Sequence, residues 1–538
     1  MKHLKMFMAG FVALSMGLTA CSSEEIEDPT TPTNPGGEAV EGSKDVVYSS
    51  IRFNLPKGRS TESEGNEVGQ DYENQIGSIL VVLATAEGEG TSATYTYVTH
   101  ALSDASVSAP GNDKTKHTIV FQDKEKMLTL ADKNAYVFAY CNPTEEIRNF
   151  FTGTDDKTDF VNKVCSELTS TWTDNGFLMT NVAPLKKEMP SEAEIKTYNT
   201  ENNALALGTV DVIRTAVRFD YKDGSPKGAD NAPKFGTNTY PIYDSQVLSP
   251  TDENVVAKIH MTNVALVNMR NQFYYLPRTS AGGLCPGLTG METLAANDYV
   301  ITPEQATFSL AMPTKLQHGD AEYNKLQWES LDAIVGGTAD SDEGWGTGIS
   351  DKEGYYIWDY TSENTANDKE IKPEATTGVI FEAEIQFTEA PAENGPAYLF
   401  GNTIYTSIAA IQEDIKKAPV SNLATAYSKA FTVNADNTVS PKSDEEVEAA
   451  GFTIYKPADD GKYYCYYWYF NRHNNDNDPT TTGIMEFATV RNNVYKLSVT
   501  NVKKLGTFKP GEIEDWDAYF SLDVDVKPWV VRVNNIEF

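Results

Sequence analysis

The chain has 538 residues, and its 77 Asp and Glu against 44 Lys and Arg give a formal net charge of −33 at pH 7. That charge argues against nucleic acid and anionic membrane surfaces as partners, because both are bound through Lys and Arg side chains. The length is sufficient for two or three domains with sizeable cores.

The N-terminus has the layout of a targeting segment. A basic start precedes the apolar run 6–18, which is too short to span a bilayer as a stable helix. The run leads into Leu-Thr-Ala before Cys21, which is similar to the lipobox of bacterial lipoproteins. That resemblance implies a signal peptide over residues 1–20 and acylation of Cys21, as by palmitate. An ordinary signal peptide with an incidental cysteine is the alternative.

A solvated tether and one strand follow the signal peptide. Residues 22–43 are rich in Pro, Thr, Gly and Glu, a composition typical of an extended linker. The run 46–55 then alternates apolar and polar residues, which predicts a strand that stops at Pro56. Ser49 is a gap in the apolar face of this strand, which consists of Val47, Ile51, Phe53 and Leu55.

The stretch from Lys57 to Glu73 has almost no apolar residues and is predicted to be an exposed loop. Basic residues in such a loop are easily cut by a trypsin-like protease. A cut after Arg59 makes Ser60 the new N-terminus, and a cut after Lys57 is the alternative.

The rest of the chain reads mainly as β-structure, in short strands separated by clusters of Gly, Asp, Ser and Asn. Two helices are predicted, at about Asp156–Leu168 and Ser407–Lys416. Many short strands and few helices favour an all-β fold of antiparallel sandwiches. The predicted strands are Ile79–Ala84, Tyr95–His100, His117–Phe121, Tyr136–Cys141, Val210–Tyr221, Val256–Met269, Gln272–Pro277, Thr307–Met312, Val379–Phe387, Tyr463–Phe470, Asn493–Val502, Tyr519–Val526 and Trp529–Phe538.

No pattern points to catalysis, so the chain is predicted not to be an enzyme and to use no cofactor. The six His residues have no metal-ligand spacing, and no GxSxG, P-loop or GxGxxG motif occurs. Two acidic loops, 340–344 and 473–479, carry closely spaced oxygen side chains that suit Ca²⁺, but a polar turn is the favoured interpretation of both.

The aromatic strand Tyr463–Phe470 and the cysteines each allow two interpretations. The strand is predicted to be a core strand with aromatics on both faces, and a sugar-binding platform is the alternative.

Four cysteines besides Cys21 are widely spaced, so one or two disulfides are allowed. The residues around Cys165 favour a buried free thiol there. The others are Cys141, Cys285 and Cys465.

An ordered set of motifs identifies a family resemblance. The chain resembles the Bacteroidetes fimbrillins, or type V pilins, and among them the major shaft subunits of short (Mfa-type) fimbriae. Each motif alone is weak, but together they extend over nearly the whole chain. The motifs are the lipobox at Cys21, the strand ending Phe53-Asn54-Leu55-Pro56, the basic loop ending at Arg59, Val212–Arg218, Arg491–Leu497, Val526–Trp529 and Ile536–Phe538.

The resemblance implies two transthyretin-like β-sandwich domains, at 60–208 and 209–538, after a lipidated propeptide of residues 21–59. It implies a lipoprotein precursor at the outer membrane, cleavage by an arginine-specific protease, and assembly into a surface fimbrium that supports adhesion. The partners are then copies of the chain and other fimbrial subunits, such as an anchor and a tip.

In this scheme the strand 46–55 is removed and a C-terminal strand of another copy replaces it by strand exchange. The donor strand is predicted to follow Pro528, which lacks a ladder donor and marks a strand start or hinge. The alternative is that it is the last strand of its own sandwich. Trp529, Val531 and Val533 share one face of the donor, and Ile536 and Phe538 share the other.

Two other roles remain open from the sequence. An anchor subunit would keep its lipid and resist the protease, and a tip subunit would usually carry an adhesive domain at one end, for which the length leaves no obvious room. A surface glycan-binding lipoprotein or glycosidase is the alternative of a different class, with the aromatic strand lining a sugar site.

Overall fold

The computed structural model describes most of the chain between residues 45 and 530. The described residues are 45–54, 67–88, 93–103, 116–166, 172–173, 176–181, 183–279, 300–303, 308–336, 353–365, 375–392, 395–473, 485–511 and 519–530. The strands of the first part are β1 (Val47–Asn54), β2 (Glu67–Val68), β3 (Ile79–Glu87), β4 (Thr94–Ser103), β5 (Lys116–Phe121), β6 (Asn134–Cys141), β7 (Val164–Cys165), β8 (Trp172–Thr173), β9 (Gly176–Phe177), β10 (Met179–Asn181), β11 (Leu185–Glu188), β12 (Leu205–Arg214) and β13 (Ala216–Tyr221).

The second part is equally rich in strands. They are β14 (Thr239–Tyr243), β15 (Val255–Val267), β16 (Met269–Arg270), β17 (Phe273–Tyr274), β18 (Arg278–Thr279), β19 (Val300–Ile301), β20 (Phe308–Ser309), β21 (Glu329–Ser330), β22 (Tyr356–Ser362), β23 (Gly378–Phe387), β24 (Ala397–Phe400), β25 (Thr403–Tyr405), β26 (Phe431–Val433), β27 (Val439–Pro441), β28 (Phe452–Tyr455), β29 (Tyr463–Phe470), β30 (Asn493–Val502) and β31 (Phe520–Val530).

The helices are short. They are α1 (Asp71–Asn74), α2 (Lys124–Leu128), α3 (Glu145–Thr152), α4 (Glu192–Ile195), α5 (Leu331–Gly336), α6 (Ile408–Lys417), α7 (Asn422–Ala430) and α8 (Asp444–Ala449). Single 3₁₀ turns occur at Phe160–Asn162, Asp252–Asn254 and Tyr323–Lys325. No helix among the described residues is long and apolar enough to cross a membrane.

An eight-stranded sheet occupies the N-terminal part of the described chain. Its hydrogen-bonded order is β4-β3-β6-β10-β12-β1-β5, with β11 beside β6. One face packs a large apolar core, to which α2 and α4 add Met127 and Ile195. The opposite face of β3 and β6 is covered by α3, whose Phe151 contacts Tyr140 with ring centroids 5.5 Å apart. Both faces of these central strands are therefore buried.

Two five-stranded sheets form the second part. One has the order β2-β31-β30-β13-β22, and the other has the order β14-β15-β23-β29 with β21 beside β15. Their inner faces share one apolar cluster, in which Tyr221 of β13 meets Phe381 of β23 with ring centroids 6.1 Å apart. This is the packing of two sheets in a sandwich, so the predicted mostly β, sandwich fold is confirmed.

The predicted strand Val210–Tyr221 is in fact two strands in two sheets. β12 ends at Arg214 in the eight-stranded sheet, and β13 begins at Ala216 in the second part. Between them, the Thr215 N–H donates to the carbonyl of Leu178 over 3.0 Å, so the chain changes sheets at this residue. The proposed boundary between residues 208 and 209 lies within β12 and stays a prediction.

One of the two predicted helices is wrong. Within Asp156–Leu168 the structure has only a 3₁₀ turn at Phe160–Asn162, followed by β7, which pairs with β17. The apolar residues at helical spacing are buried by long-range packing instead, since Phe160 and Cys165 join the cluster under α3. The helix at Ser407–Lys416 is confirmed as α6, with the Ser407 hydroxyl accepting from the Ala410 N–H over 3.1 Å.

The region between β23 and β29 is an insertion that the sequence did not reveal. These two strands are neighbours in one sheet, yet 75 residues, from 388 to 462, separate them. The insertion contains α6, α7 and α8 with the small sheet β25-β24-β28, and it has its own apolar cluster around Ile411, Phe431 and Phe452. The chain therefore contains an additional folded unit, for which its length had seemed to leave no obvious room.

Candidate assembly site

The leader strand β1 lies inside the eight-stranded sheet. It is hydrogen-bonded to β12 on one side and to β5 on the other. Ser49–Asn54 pair in parallel with residues of β12, and Val47–Arg52 pair antiparallel with residues of β5. β5 ends the hydrogen-bonded path, so β1 joins this strand to the rest of the sheet. Removing β1 would therefore expose ladder groups on both of its neighbours.

The apolar face of β1 is buried in the core. Val47, Ile51 and Phe53 are 0, 1 and 2% exposed, and all three belong to the main apolar cluster of this sheet. At roughly 1.5–3 kcal/mol each, they contribute roughly 5–9 kcal/mol to holding the strand. Ser49 is fully buried on the same face, and its hydroxyl has no hydrogen-bond partner among the described residues. The gap seen in the sequence is thus a weak point in an otherwise apolar contact.

β12 has a bulge where it pairs with β1. Ser50 is opposite Ala206 and Ile51 is opposite Gly208, so Leu207 is the extra residue. Gly208 has φ +115°, a conformation that side-chain-bearing residues rarely adopt. A Cβ at this position would also lie 3.0 Å from Cδ2 of Leu185. Glycine is therefore required where β12 pairs with β1.

A buried ionic cluster surrounds Glu73, a residue that follows β1 in the chain. Arg218 is 1% exposed and forms two hydrogen bonds with Asp220, from Nε to Oδ1 over 2.8 Å and from Nη2 to Oδ2 over 2.7 Å. Nη1 of the same guanidinium lies 3.2 Å from Oε2 of Glu73, which is fully buried. The hydroxyl of Tyr360 donates to Oε1 of Glu73 over 2.6 Å. The bidentate geometry and the extra donor offset the cost of burying these charges.

Arg214 connects this cluster to the end of β12. Its Nε donates to the carbonyl of Glu73 over 3.0 Å, and its Nη2 donates to the side chain of Asn74. Its Nη1 donates to Oδ1 of Asn492 over 3.3 Å. Burial lowers the pKa of Arg214 to about 10, against the opposing effect of Glu73. The guanidinium stays charged at neutral pH and joins α1, β12 and the turn before β30.

Buried ion pairs account for the arginines of two of the family motifs, and the cluster around Glu73 also corrects one prediction. Arg214 and Arg218 lie in the motif Val212–Arg218, and Arg491 of the other motif binds Glu363, with Nε 3.1 Å from Oε2. Glu73 was expected in an exposed loop, but α1 buries it. The sequence signal for this cluster was the presence of single charged residues within apolar strands, because charged side chains are buried only when they have partners. The partner itself could not be found from the sequence.

The C-terminal strand is continuous through the expected hinge. The strand β31 runs from Phe520 to Val530, with Pro528 opposite Asn493 of β30. Trp529 and Val530 continue it, and they pair in parallel with Glu67 and Val68 of β2. Proline is tolerated because a strand position near a sheet edge does not need its N–H in the ladder.

Many of the sequence-predicted site residues lie outside the described part of the chain. The structure brings Val47, Ile51 and Phe53 together in the sheet and includes the backbone of Trp529 in β31. The acidic loop 340–344 and all of the loop 473–479 except His473 also lie outside it. The other site residues outside it are Cys21, Leu55, Arg59, Ser60, Val531, Val533, Ile536 and Phe538.

The aromatic strand β29 is a core strand. Tyr466, Tyr467, Tyr469 and Phe470 are each at most 1% exposed, which leaves no aromatic platform along most of its length. Cys465 of this strand is a buried free thiol, and burial raises its pKa to about 12. The other described cysteines, Cys141 and Cys165, are also buried thiols, whereas Cys285 lies outside the described residues.

Comparison with known proteins supports the family resemblance. Residues 461–535 match the family described as major fimbrial subunit protein type IV, fimbrillin, C-terminal. No curated protein matches the chain. The resemblance to fimbrillins drawn from the motifs is thereby confirmed, and the match supports a fimbrial subunit.

Several solved structures of bacterial proteins are similar to this chain at low sequence identity. A fimbrillin (FimA) of Porphyromonas gingivalis W83 is 12% identical, with 91% of this chain and 99% of that chain covered and a TM-score of 0.39. A candidate cell adhesion protein of Parabacteroides distasonis is 11% identical, with 91% and 99% covered and a TM-score of 0.41. The tip fimbrial protein Mfa3 of P. gingivalis is 10% identical, with 90% and 100% covered and a TM-score of 0.31.

Proposed function

We propose that this chain is the shaft subunit of a surface fimbria, made as a lipoprotein precursor and polymerised by strand exchange after a cut at Arg59. It is a structural protein, with its own copies and other fimbrial subunits as partners. The observation that carries the proposal is the position of β1 between β5 and β12. Departure of a strand that has ladder partners and a buried apolar face opens a slot for another strand, and β1 has both features.

The proposed trigger follows from the chain order. β1 ends at Asn54 and β2 begins at Glu67, and the connecting residues 55–66 contain Arg59. A cut there makes β1 a separate peptide that dissociates from its place between β5 and β12, which we call the slot. It also separates the body, 60–538, from the lipid at Cys21, so that competence for assembly and release from the membrane share one event.

The proposed replacement is the C-terminal segment of another copy. Its apolar residues alternate at Trp529, Val531 and Val533, the same period-two spacing by which Ile51 and Phe53 of β1 reach the core. A strand with this pattern regains the apolar contacts that the departing leader gives up. The incoming strand then links one subunit to the next.

Limited proteolysis of the purified precursor tests the proposal. Cut protein should form ladders of SDS-resistant oligomers, whereas the variant Lys57→Ala/Arg59→Ala should stay monomeric under the same treatment. Deleting residues 529–538 from the cuttable chain should also abolish the ladders. Polymerisation of the doubly blocked variant at the wild-type rate would overturn the proteolytic trigger.

The N-terminal residue of the protein recovered from cells separates a shaft subunit from an anchor. Ser60 is expected for a shaft subunit, and an acylated Cys21 is expected for an anchor that keeps its leader. A start at residue 58 would place the cut after Lys57 instead.

A further inference from the structure

The end of β31 has an unusual neighbour. β30 begins at Asn493, opposite Pro528, so Trp529 and Val530 extend beyond the end of the strand that pairs with the rest of β31. Their ladder partner is β2, at Glu67 and Val68. The root of the proposed donor strand is therefore held by a segment from the other end of the chain.

The segment that contains β2 is attached on two sides. After β2, the chain enters α1, where Glu73 is buried against Arg218 and Tyr360. Before β2, residues 55–66 lead back to β1, which is fixed in the slot of the eight-stranded sheet. In the uncut chain β2 is therefore covalently connected to a fixed element on both sides, and it pairs with β31.

We infer that β2 is a clasp that holds the C-terminal strand until the chain is cut at Arg59, an inference that rests on the proposed function. A cut removes the attachment to β1 and leaves β2 near a free chain end. Strand segments near a free end fray more readily, since one tether no longer keeps them close to their partner. The same cut thus opens the acceptor slot and loosens the root of the donor.

The clasp provides a safeguard that slot occupancy alone does not. An uncut chain with a free C-terminal strand could insert that strand into an open slot and terminate a growing polymer, because its own slot is full. With the clasp closed, an uncut chain neither accepts nor donates. Donation becomes restricted to chains that are also able to accept.

A two-component assay tests this inference. The acceptor is the cut chain lacking residues 529–538, which has an open slot and no donor strand. The donor is the uncut Lys57→Ala/Arg59→Ala chain, either with native β2 or with Glu67→Pro/Val68→Pro, which removes the backbone N–H of both residues and with it the one that faces β31. The proline donor should form SDS-resistant dimers with the acceptor at least tenfold faster than the donor with native β2.

The control donor carries Glu67→Gln/Val68→Thr, which keeps the backbone N–H groups of β2, and it should behave as the donor with native β2. Equal dimer formation by the proline and native donors would overturn the clasp. Cut wild-type chains run in parallel test the proposed function: if they polymerise, only the clasp has failed, and if they do not, the strand-exchange proposal has failed.

Hydrogen exchange provides a readout without any substitution in β2. Amides of residues 519–530 should exchange faster in the cut chain lacking 531–538 than in the matching uncut chain, with the largest change at whichever of the Trp529 and Val530 amides faces β2. An unchanged rate at both amides would also overturn the clasp.

Discussion

The leader strand β1 and the segment around Glu73 are near neighbours in sequence, but the fold holds them by opposite means. β1 is held by apolar side chains and ladder hydrogen bonds, which depend on the spacing of side chains and on a backbone that every residue has. The Glu73 segment is held by a buried network of charges whose partners are specific.

This difference decides which contact can be exchanged. On the proposed function, a strand with a similar alternation of apolar residues would be able to occupy the position of β1, because non-directional burial supplies most of the free energy of this contact. A guanidinium that pairs with a buried carboxylate cannot be replaced by an uncharged group, because the carboxylate would then stay buried without a partner, at a large cost in free energy. On the proposed function, the chain thus combines a strand suited to replacement with a body that would stay intact after the cut.

The largest expected effect is in the ionic cluster. Arg218→Ala leaves Glu73 and Asp220 buried without their guanidinium, so the free energy of unfolding should fall by about 3–5 kcal/mol. Urea unfolding of the uncut chain measures this loss. The control is Lys196→Ala, which removes an exposed ion pair with Glu192 and should leave the midpoint unchanged. Equal effects of the two substitutions would remove the contrast between the regions.

Truncation of the leader should have the next largest effect. Phe53→Ala removes a ring that is buried in the slot, so the uncut chain should lose about 3 kcal/mol of stability. After the cut, release of the leader should accelerate, as measured by separation of the labelled peptide from the body. Asn54→Ala is the matched control, because its side chain bonds Asp211 at an exposed site. A leader that leaves no faster with Phe53→Ala would argue against apolar burial as its main hold.

Replacing Ser49 with an apolar residue should hold β1 more tightly in the sheet. Ser49→Ala removes a buried hydroxyl without a described partner, and the hold on β1 should increase by about 1 kcal/mol. Polymerisation after the cut should then slow by roughly fivefold, on the conversion of about 1.4 kcal/mol for each factor of ten. Ser50→Ala, on the opposite face of the strand, is the control. A faster rate with Ser49→Ala would mean that the hydroxyl stabilises the leader.

The last prediction concerns the pH dependence of stability in the region around Glu73. Burial raises the pKa of Asp359, next to Tyr360 in β22, to about 7. The folded state therefore binds a proton that the unfolded state releases near pH 4, so this contribution to stability is present below pH 4 and is lost as the pH rises to about 7. Asp359→Asn should flatten that part of the dependence. Urea unfolding at pH 5 and pH 8 measures it, and an unchanged slope would contradict the assignment.

Much of the strand order of the fold was predictable. The strands Tyr463–Phe470 and Asn493–Val502 have the bounds that the sequence indicates, because alternation and turn residues are local signals. The helix predicted at Asp156–Leu168 failed because Phe160 and Cys165 are buried by contacts distant in sequence. The change of sheet at Thr215 was missed because both halves of Val210–Tyr221 have the mixture of apolar and polar residues that is typical of a strand, and only contacts distant in sequence separate them.

The sequence by itself determined the alternation of Val47, Ile51 and Phe53, the basic residue Arg59 in the polar stretch and the family resemblance. Each of these is a property of a short stretch of chain. Only the tertiary structure decided that β1 lies between β5 and β12, that Glu73 meets Arg218, and that β2 pairs with the end of β31. Those are pairings between distant segments, and the free energy that selects them comes from burying both partners together.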